Sequence, residues 1–224
     1  MKKKISVGAI FIVVLFACNV FAAKTYKIDP THSTVGFEVR HLQVGITRGV
    51  FTDYSGEVQF DKEKPEDFKA EGIIQTESID TRLKARDDHL KNADFFDVKT
   101  YPTITVKSKK LIKKGDSYEM VADLTMRGVT REVSAPVTIR GPVKSPFGTE
   151  VIGISGEVVI NRHDYGISWN AKMPDGGFVV GDDVKIIVDI EAHKKYHLTE
   201  EHPKADHPTE EHPKSDHPTG EHPK

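Results

Sequence analysis

Histidine and arginine supply most of the chemistry this sequence could perform. Near the C-terminus Glu201-His202-Pro203-Lys204 recurs as Glu211-His212-Pro213-Lys214 and Glu221-His222-Pro223-Lys224, and Asp206-His207-Pro208-Thr209 recurs as Asp216-His217-Pro218-Thr219. Neutral imidazole ligates Zn2+, Ni2+ and Cu2+, so His202, His207, His212, His217 and His222 are expected to bind Zn or Ni weakly. Their even spacing is not that of a compact metal site. A solvated spacer is the competing reading, because the repeat has no apolar face to bury. A second constellation is Arg82, Arg86 and His89, spaced i, i+4 and i+7 beside Asp87, Asp88 and Asp94. Helical spacing puts the three on one face. Arginine suits phosphate oxygens, whereas pairing with the neighbouring carboxylates would make the same residues structural.

Motifs that name a reaction are missing. Gly153-Ile154-Ser155-Gly156 is one residue short of a nucleophile elbow, and the chain has no His-Glu-x-x-His, P-loop or Gly-x-Gly-x-x-Gly. His163 and Asp164 are adjacent, which on a strand aims their side chains apart. The expectation is a protein that binds without catalysing and requires no cofactor.

Lys2, Lys3 and Lys4 precede an uncharged, largely apolar run from Ile5 to Val20 and the small residues Ala22 and Ala23. The run is shorter than the ~20 residues that cross a bilayer, and this order of charge, apolar core and small residues reads as a signal peptide over residues 1–22. A periplasmic location follows as an expectation. Leu15-Phe16-Ala17-Cys18 is similar to a lipobox, but bulky Phe16 fits it poorly, so anchoring at Cys18 is the lesser alternative. Cys18 is the only cysteine. Once the signal is removed, no disulfide or thiolate chemistry remains. Three fewer lysines leave 29 basic residues against 34 acidic ones, a formal charge of −5, which argues against a nucleic-acid partner.

The elements that must position these groups are strands. Val35, Phe37 and Val39 alternate with Gly36, Glu38 and Arg40. Val50, Thr52, Tyr54, Gly56, Val58 and Phe60 read as one face opposed by Phe51, Asp53, Ser55, Glu57 and Gln59. Tyr118, Met120, Ala122, Leu124 and Met126 share a face, as do Ile152, Ile154, Val158 and Ile160, then Val184, Ile186, Val188 and Ile190. Turn residues at Gly115, Gly128, Gly141-Pro142, Pro146 and Gly176-Gly177 separate the runs. Roughly eight strands with one apolar face each need a second layer or a closed barrel. A helix is expected from about Thr81 to Ala93, capped by Asp80 or Thr81, with Leu83 and Leu90 on one face. Taken alone, the apolar faces, with Phe95, Phe96, Ile104, Trp169 and Phe178, read as a filled core.

Between residues 25 and 192 the sequence resembles the YceI-like family of periplasmic polyisoprenoid-binding proteins. The likeness is carried by Tyr26-Lys27-Ile28-Asp29-Pro30-Thr31-His32-Ser33, Arg40-His41-Leu42, Gly49-Val50-Phe51, Arg86-Asp87-Asp88-His89-Leu90 with Asp94-Phe95-Phe96-Asp97, Asp123-Leu124-Thr125-Met126-Arg127-Gly128, and Asn161-Arg162-His163-Asp164-Tyr165-Gly166. It implies an all-β fold, an eight-stranded antiparallel lipocalin-like barrel with a short covering helix, spanning residues 23–192; the His/Pro-rich repeat tail at 193–224, expected to be disordered, is not part of the family pattern. It also implies an isoprenoid ligand, polyprenyl or quinone-like, held in the barrel by Val35, Phe37, Val39, Tyr54, Phe95, Phe96, Ile104, Leu124, Ile154, Trp169 and Phe178. Polar residues at the mouth would meet the headgroup, with His41, Arg48, Arg86 and His89 as candidates. Val106 departs from the family pattern, where relatives often carry an aromatic. Expected partners are the lipid, a membrane met transiently and a second copy of the chain. An envelope stress or metal-binding protein working through the tail is the alternative.

Overall fold

The computed structural model describes residues 24–174 and 176–194. The expectations for residues 1–22 and for His202, His207, His212, His217 and His222 lie outside them. In chain order the strands are β1 (Lys24–Ile28), β2 (Thr34–His41), β3 (Gly45–Phe51), β4 (Tyr54–Phe60), β5 (Lys69–Gln75), β6 (Ile79–Asp80), β7 (Thr103–Lys114), β8 (Ser117–Met126), β9 (Val129–Lys144), β10 (Glu150–Asn161) and β11 (Val180–Lys194). One α-helix, α1 (Lys84–Lys91), lies between β6 and β7.

All ladders are antiparallel, and β11 closes the sheet onto β1 through Tyr26↔Lys194 and Ile28↔Ala192. β11 pairs with β1 at its C-terminal end and with β2 over Val180–Asp189. β1 and β2 therefore occupy one strand position, broken at Pro30–His32. β3 and β4 share a second position and β5 and β6 a third, because β3 pairs with β2 and β6 while β4 pairs with β1 and β5. Three broken positions and five whole strands make an eight-stranded antiparallel barrel. The β8–β9 hairpin shows how sequence sets the register: Arg127 and Gly128 both take positive φ, 49° and 72°, the two-residue turn whose twist matches flanking strands.

The break in the second position changes the expected parity. On β4, Tyr54, Val58 and Phe60 point inward as anticipated, but so does Phe51 on β3, which is buried in the same cluster as Tyr54. Thr52 and Asp53 interrupt the ladder, so the run from Val50 to Phe60 is two strands whose alternation does not carry across. The helix is also shorter than expected. Arg82 takes a positive φ of 64° and Leu83 is extended and half exposed, so neither Asp80 nor Thr81 caps α1. Asp80 instead accepts from the Arg82 N–H (2.7 Å), and Asp87 accepts from the Thr81 N–H (2.9 Å).

The interior divides into two halves. At one end Tyr26, Phe60, Phe68, Tyr118 and Ile152 fill the barrel, with Phe60 edge-on to Phe68 and Tyr118 at centroid distances of 6.3 and 6.4 Å. At the other end Val35, Phe51, Ile104, Leu124 and Ile160 form the wall of a second cluster. No ladder joins β6 to β7 among the described residues. The connecting segment of residues 81–102 covers that end, and its Leu90, Phe95 and Phe96 pack on the second cluster.

Glu150 on β10 ties the seam. Its Oε1 accepts from Lys24 Nζ (2.7 Å) and the buried Tyr26 hydroxyl (2.9 Å), both on β1. The Lys24 bond, and after it that of Tyr26, hold the carboxyl below the usual glutamate range against the opposing effect of burial. A folded-state value below the unfolded one means the stabilisation is complete above the unfolded value and lost as pH falls through the folded one. Glu150→Gln should cost about 1 kcal/mol at pH 7, and the gap in melting temperature from wild type should close below about pH 4. A gap that stays constant down to acid pH would assign the loss to packing.

Candidate functional site

The second half of the barrel is hollow. A cavity of about 310 Å³ lies inside it, walled by alternate residues of β2 (Val35, Phe37, Val39), β7 (Ile104, Val106), β8 (Leu124, Met126) and β11 (Val184, Ile186, Val188). Strand alternation explains the choice: every second side chain faces in. Gly49 on β3 makes room for the Phe37 ring, which occupies the space a side chain at 49 would need. Phe51 then continues an aromatic run from Phe37 (6.1 Å) to Phe96 (5.7 Å, edge-on), joining the wall to the cover.

The cover and rim bring basic side chains together. Arg40, His41, Arg86, His89 and Arg162 line the cavity, and no Asp or Glu is among its lining residues. Arg86 donates from Nε to Thr81 Oγ1 (2.7 Å) and from Nη2 to the Thr81 carbonyl (2.6 Å). Its Nη1 has no partner among the described residues. The expected pairing of Arg86 with Asp87, Asp88 or Asp94 is replaced by these bonds to Thr81. His89 pairs with Asp94 (Nε2 to Oδ2, 3.0 Å) and stands edge-on to Phe95 at 5.0 Å and Trp169 at 4.8 Å. It thereby fixes the cover against the rim.

Arg162 carries no role in the sequence reading, yet the fold depends on it here. It is 3% exposed, at the end of β10. Its Nε donates to the Gly181 carbonyl (2.9 Å), and Nη1 donates to those of Ile167 (2.8 Å) and Trp169 (2.9 Å). Nη2 reaches Asp182 Oδ1 (3.3 Å), which also meets His163 Nε2 (2.8 Å). The His163 bond first, then charge from His163 and Arg162, keeps the Asp182 carboxyl below its usual range despite burial. His163 thus pairs with Asp182 and not with its neighbour Asp164. The only signal in the sequence was an arginine directly after Asn161, whose side chain accepts from the His163 N–H and caps a turn (2.9 Å).

The sequence-expected residues divide as follows. Val35, Phe37, Val39, Phe95, Phe96, Ile104, Leu124 and Trp169 line the cavity, as do His41, Arg86 and His89. Four do not. Tyr54 is buried in the wall, its hydroxyl donating to the Ser33 carbonyl (2.6 Å). Ile154 faces inward at the filled end. Phe178 is 49% exposed, bridging to Lys172 on a loop outside the barrel. Arg48 points outward, because on β3 its neighbours Thr47 and Gly49 take the inward side, and it pairs with Glu38 at 2.6 Å.

An antiparallel barrel packed at one end and hollow at the other, with a helical cover, is a lipocalin-like barrel. The chain belongs to the YceI-like family: residues 26–192 match the YceI-like domain. A UPF0312 protein of Staphylococcus aureus strain N315 is 34% identical over 176 residues, 78% of this chain and 98% of the relative. Among solved structures, BcnA of Burkholderia cenocepacia superposes with a TM-score of 0.64 at 26% identity, covering 73% of this chain and 98% of BcnA. The Campylobacter jejuni YceI protein gives 0.59 at 31%, covering 70% and 90%. A polyisoprenoid binding domain from Saccharophagus degradans shares the fold, with 0.59 at 16% identity over 76% and 98%.

Proposed function

We propose that this protein is an exported carrier or store for an isoprenoid lipid, holding the prenyl chain in the hollow half of the barrel and an anionic head at its mouth. The observation that carries this is the pairing of an apolar cavity, with no Asp or Glu among its lining residues, with the Arg86 guanidinium at its edge, whose bonds go only to Thr81 among the described residues. Transfer of hydrocarbon from a membrane into an equally apolar barrel gains little, so selectivity falls to shape and to the head. Arg86, with Nη1 uncommitted, offers the fork geometry that phosphate oxygens fit. The family's polyisoprenoid-binding neighbour and the signal-like residues 1–22 support the same reading.

At about 310 Å³ the hollow falls within the size range of small-molecule pockets and is lined almost wholly by apolar side chains. Trp169, the only tryptophan, lines the cavity and reports on its filling. Titrating prenyl monophosphates of two, three and four units should change Trp169 fluorescence, with affinity rising as each added unit buries more apolar surface. The prenyl alcohols should bind at least tenfold more weakly, and Arg86→Met should remove most of that preference. Equal affinity for phosphate and alcohol, or a variant that loses only melting temperature, would remove the headgroup role.

Lipid must enter from a bilayer, and the mouth is dressed for one. Leu42 and Gln43 take positive φ, 50° and 61°, in the β2–β3 turn, a conformation that costs bulky residues energy. Leu42 (42% exposed), Val44 (83%) and Phe178 stand there, with the Leu42 N–H donating to the Val179 carbonyl (2.8 Å). Replacing Leu42, Val44 and Phe178 by Ser should slow prenyl-lipid transfer between vesicles at least tenfold without altering Trp169 titrations in detergent-free buffer. Unchanged transfer would exclude this edge as the membrane contact.

A further inference from the structure

On the outer wall, at the break between β1 and β2, side chains from two strands meet in a way the lipid site does not use. Inward positions on β11 are Ile186, Val188, Ile190 and Ala192, so Glu191 and His193 project outward side by side. The chain after β1 is held against them: the Asp29 N–H donates to the Glu191 carbonyl (2.9 Å), and Ser33 Oγ accepts from the Glu191 N–H (2.9 Å). Asp29 Oδ1 is occupied by the Thr31 N–H (2.9 Å) and hydroxyl (2.6 Å). That leaves Oδ2 facing His32 Nδ1 at 2.8 Å and His193 Nε2 at 3.6 Å. Glu191 Oε1 lies 2.9 Å from the same His193 nitrogen and 3.9 Å from His32 Nδ1.

The geometry points to a divalent-cation site formed by Asp29, Glu191 and His193 and completed by His32. Donor atoms of Asp29, Glu191 and His193 all lie within 4.8 Å of one another. With bonds of 2.0–2.1 Å, tetrahedral Zn2+ sets its donors about 3.3 Å apart. The four distances, 2.8, 2.9, 3.6 and 3.9 Å, bracket that value. Two imidazoles and two carboxylates balance the charge of a divalent ion, and late first-row metals favour such a mixed set. Hydrogen bonds from Thr31 fix the Asp29 carboxylate in the manner that outer partners orient metal ligands. His32 is the most exposed of the four, so it can swing in to complete the shell. Ion pairing alone would also hold these four residues together, so the metal itself has to be tested.

Thermal melting of the full chain with and without Zn2+ tests the site, with His32→Gln/His193→Gln as the variant. That variant keeps all five His-Pro histidines, so it separates the wall site from the repeat. At Zn2+ a hundredfold above the dissociation constant, the melting temperature of the wild type should rise by about 5 °C or more, and the variant's should not move. A wild type unmoved by Zn2+, or a shift that survives in the variant, would overturn the site. If the double variant melts far below wild type without metal, anomalous scattering from Zn2+-soaked wild-type crystals decides. A peak between His193 Nε2 and the two carboxylates supports the site, and its absence there rejects it.

Discussion

Val106→Trp should weaken binding of a prenyl phosphate by roughly fifteenfold while leaving the barrel folded. Val106 lies on β7 with its side chain on the cavity wall, opposite Leu124 in the ladder to β8. An indole there would exclude about two methylene-sized groups from the hollow. At about 0.8 kcal/mol for each, the loss is about 1.6 kcal/mol, which is that factor. Filling a void adds packing contacts, so the variant should melt at or above the wild-type temperature. This combination separates cavity filling from ordinary damage, which lowers affinity and stability together. Undiminished affinity would place the chain somewhere other than the hollow.

Arg162→Leu is expected to show the largest stability loss of any single substitution near the site. The guanidinium satisfies carbonyls of Gly181, Ile167 and Trp169 and reaches Asp182. Removing it leaves buried acceptors unmatched, and hydrogen bonds to charged groups are worth about 1.5–3 kcal/mol each. A total of about 3–5 kcal/mol corresponds to a fall of roughly 10 °C for a domain of this size. Arg162→Lys should recover less than half, since an ammonium cannot serve three carbonyls from one plane. Because Trp169 is anchored by the same group, its emission should shift toward that of exposed indole in Arg162→Leu. A melting temperature within about 2 °C of wild type would show that water replaces the guanidinium there.

What the sequence disclosed and what it hid follow from the range over which each feature is decided. The faces of Val35, Phe37 and Val39, or of Leu124 and Met126, are set by alternation within one strand and were legible. Phe51 was not, because two residues at Thr52 and Asp53 break the ladder and composition does not mark the break. Whether the interior is full or hollow depends on which side chains from eight strand positions meet at one level. Ile154 meets Tyr26 and Phe60 at the filled end, while Ile160, six residues along the same face, borders empty space. Arg162 was hidden for a different reason: a charge reads as surface until the carbonyls that surround it are known. The pairing of Asp29 with Glu191 and His193 spans the whole barrel closure and could come only from the β1–β11 ladder.

Mass spectrometry of an organic extract from the purified full chain is the most direct examination of the central claim. The expected yield is a prenyl lipid with an anionic head, near one per wild-type chain and clearly less on Val106→Trp. A wild-type chain that yields no prenyl species, or one equally loaded in that variant, would contradict it.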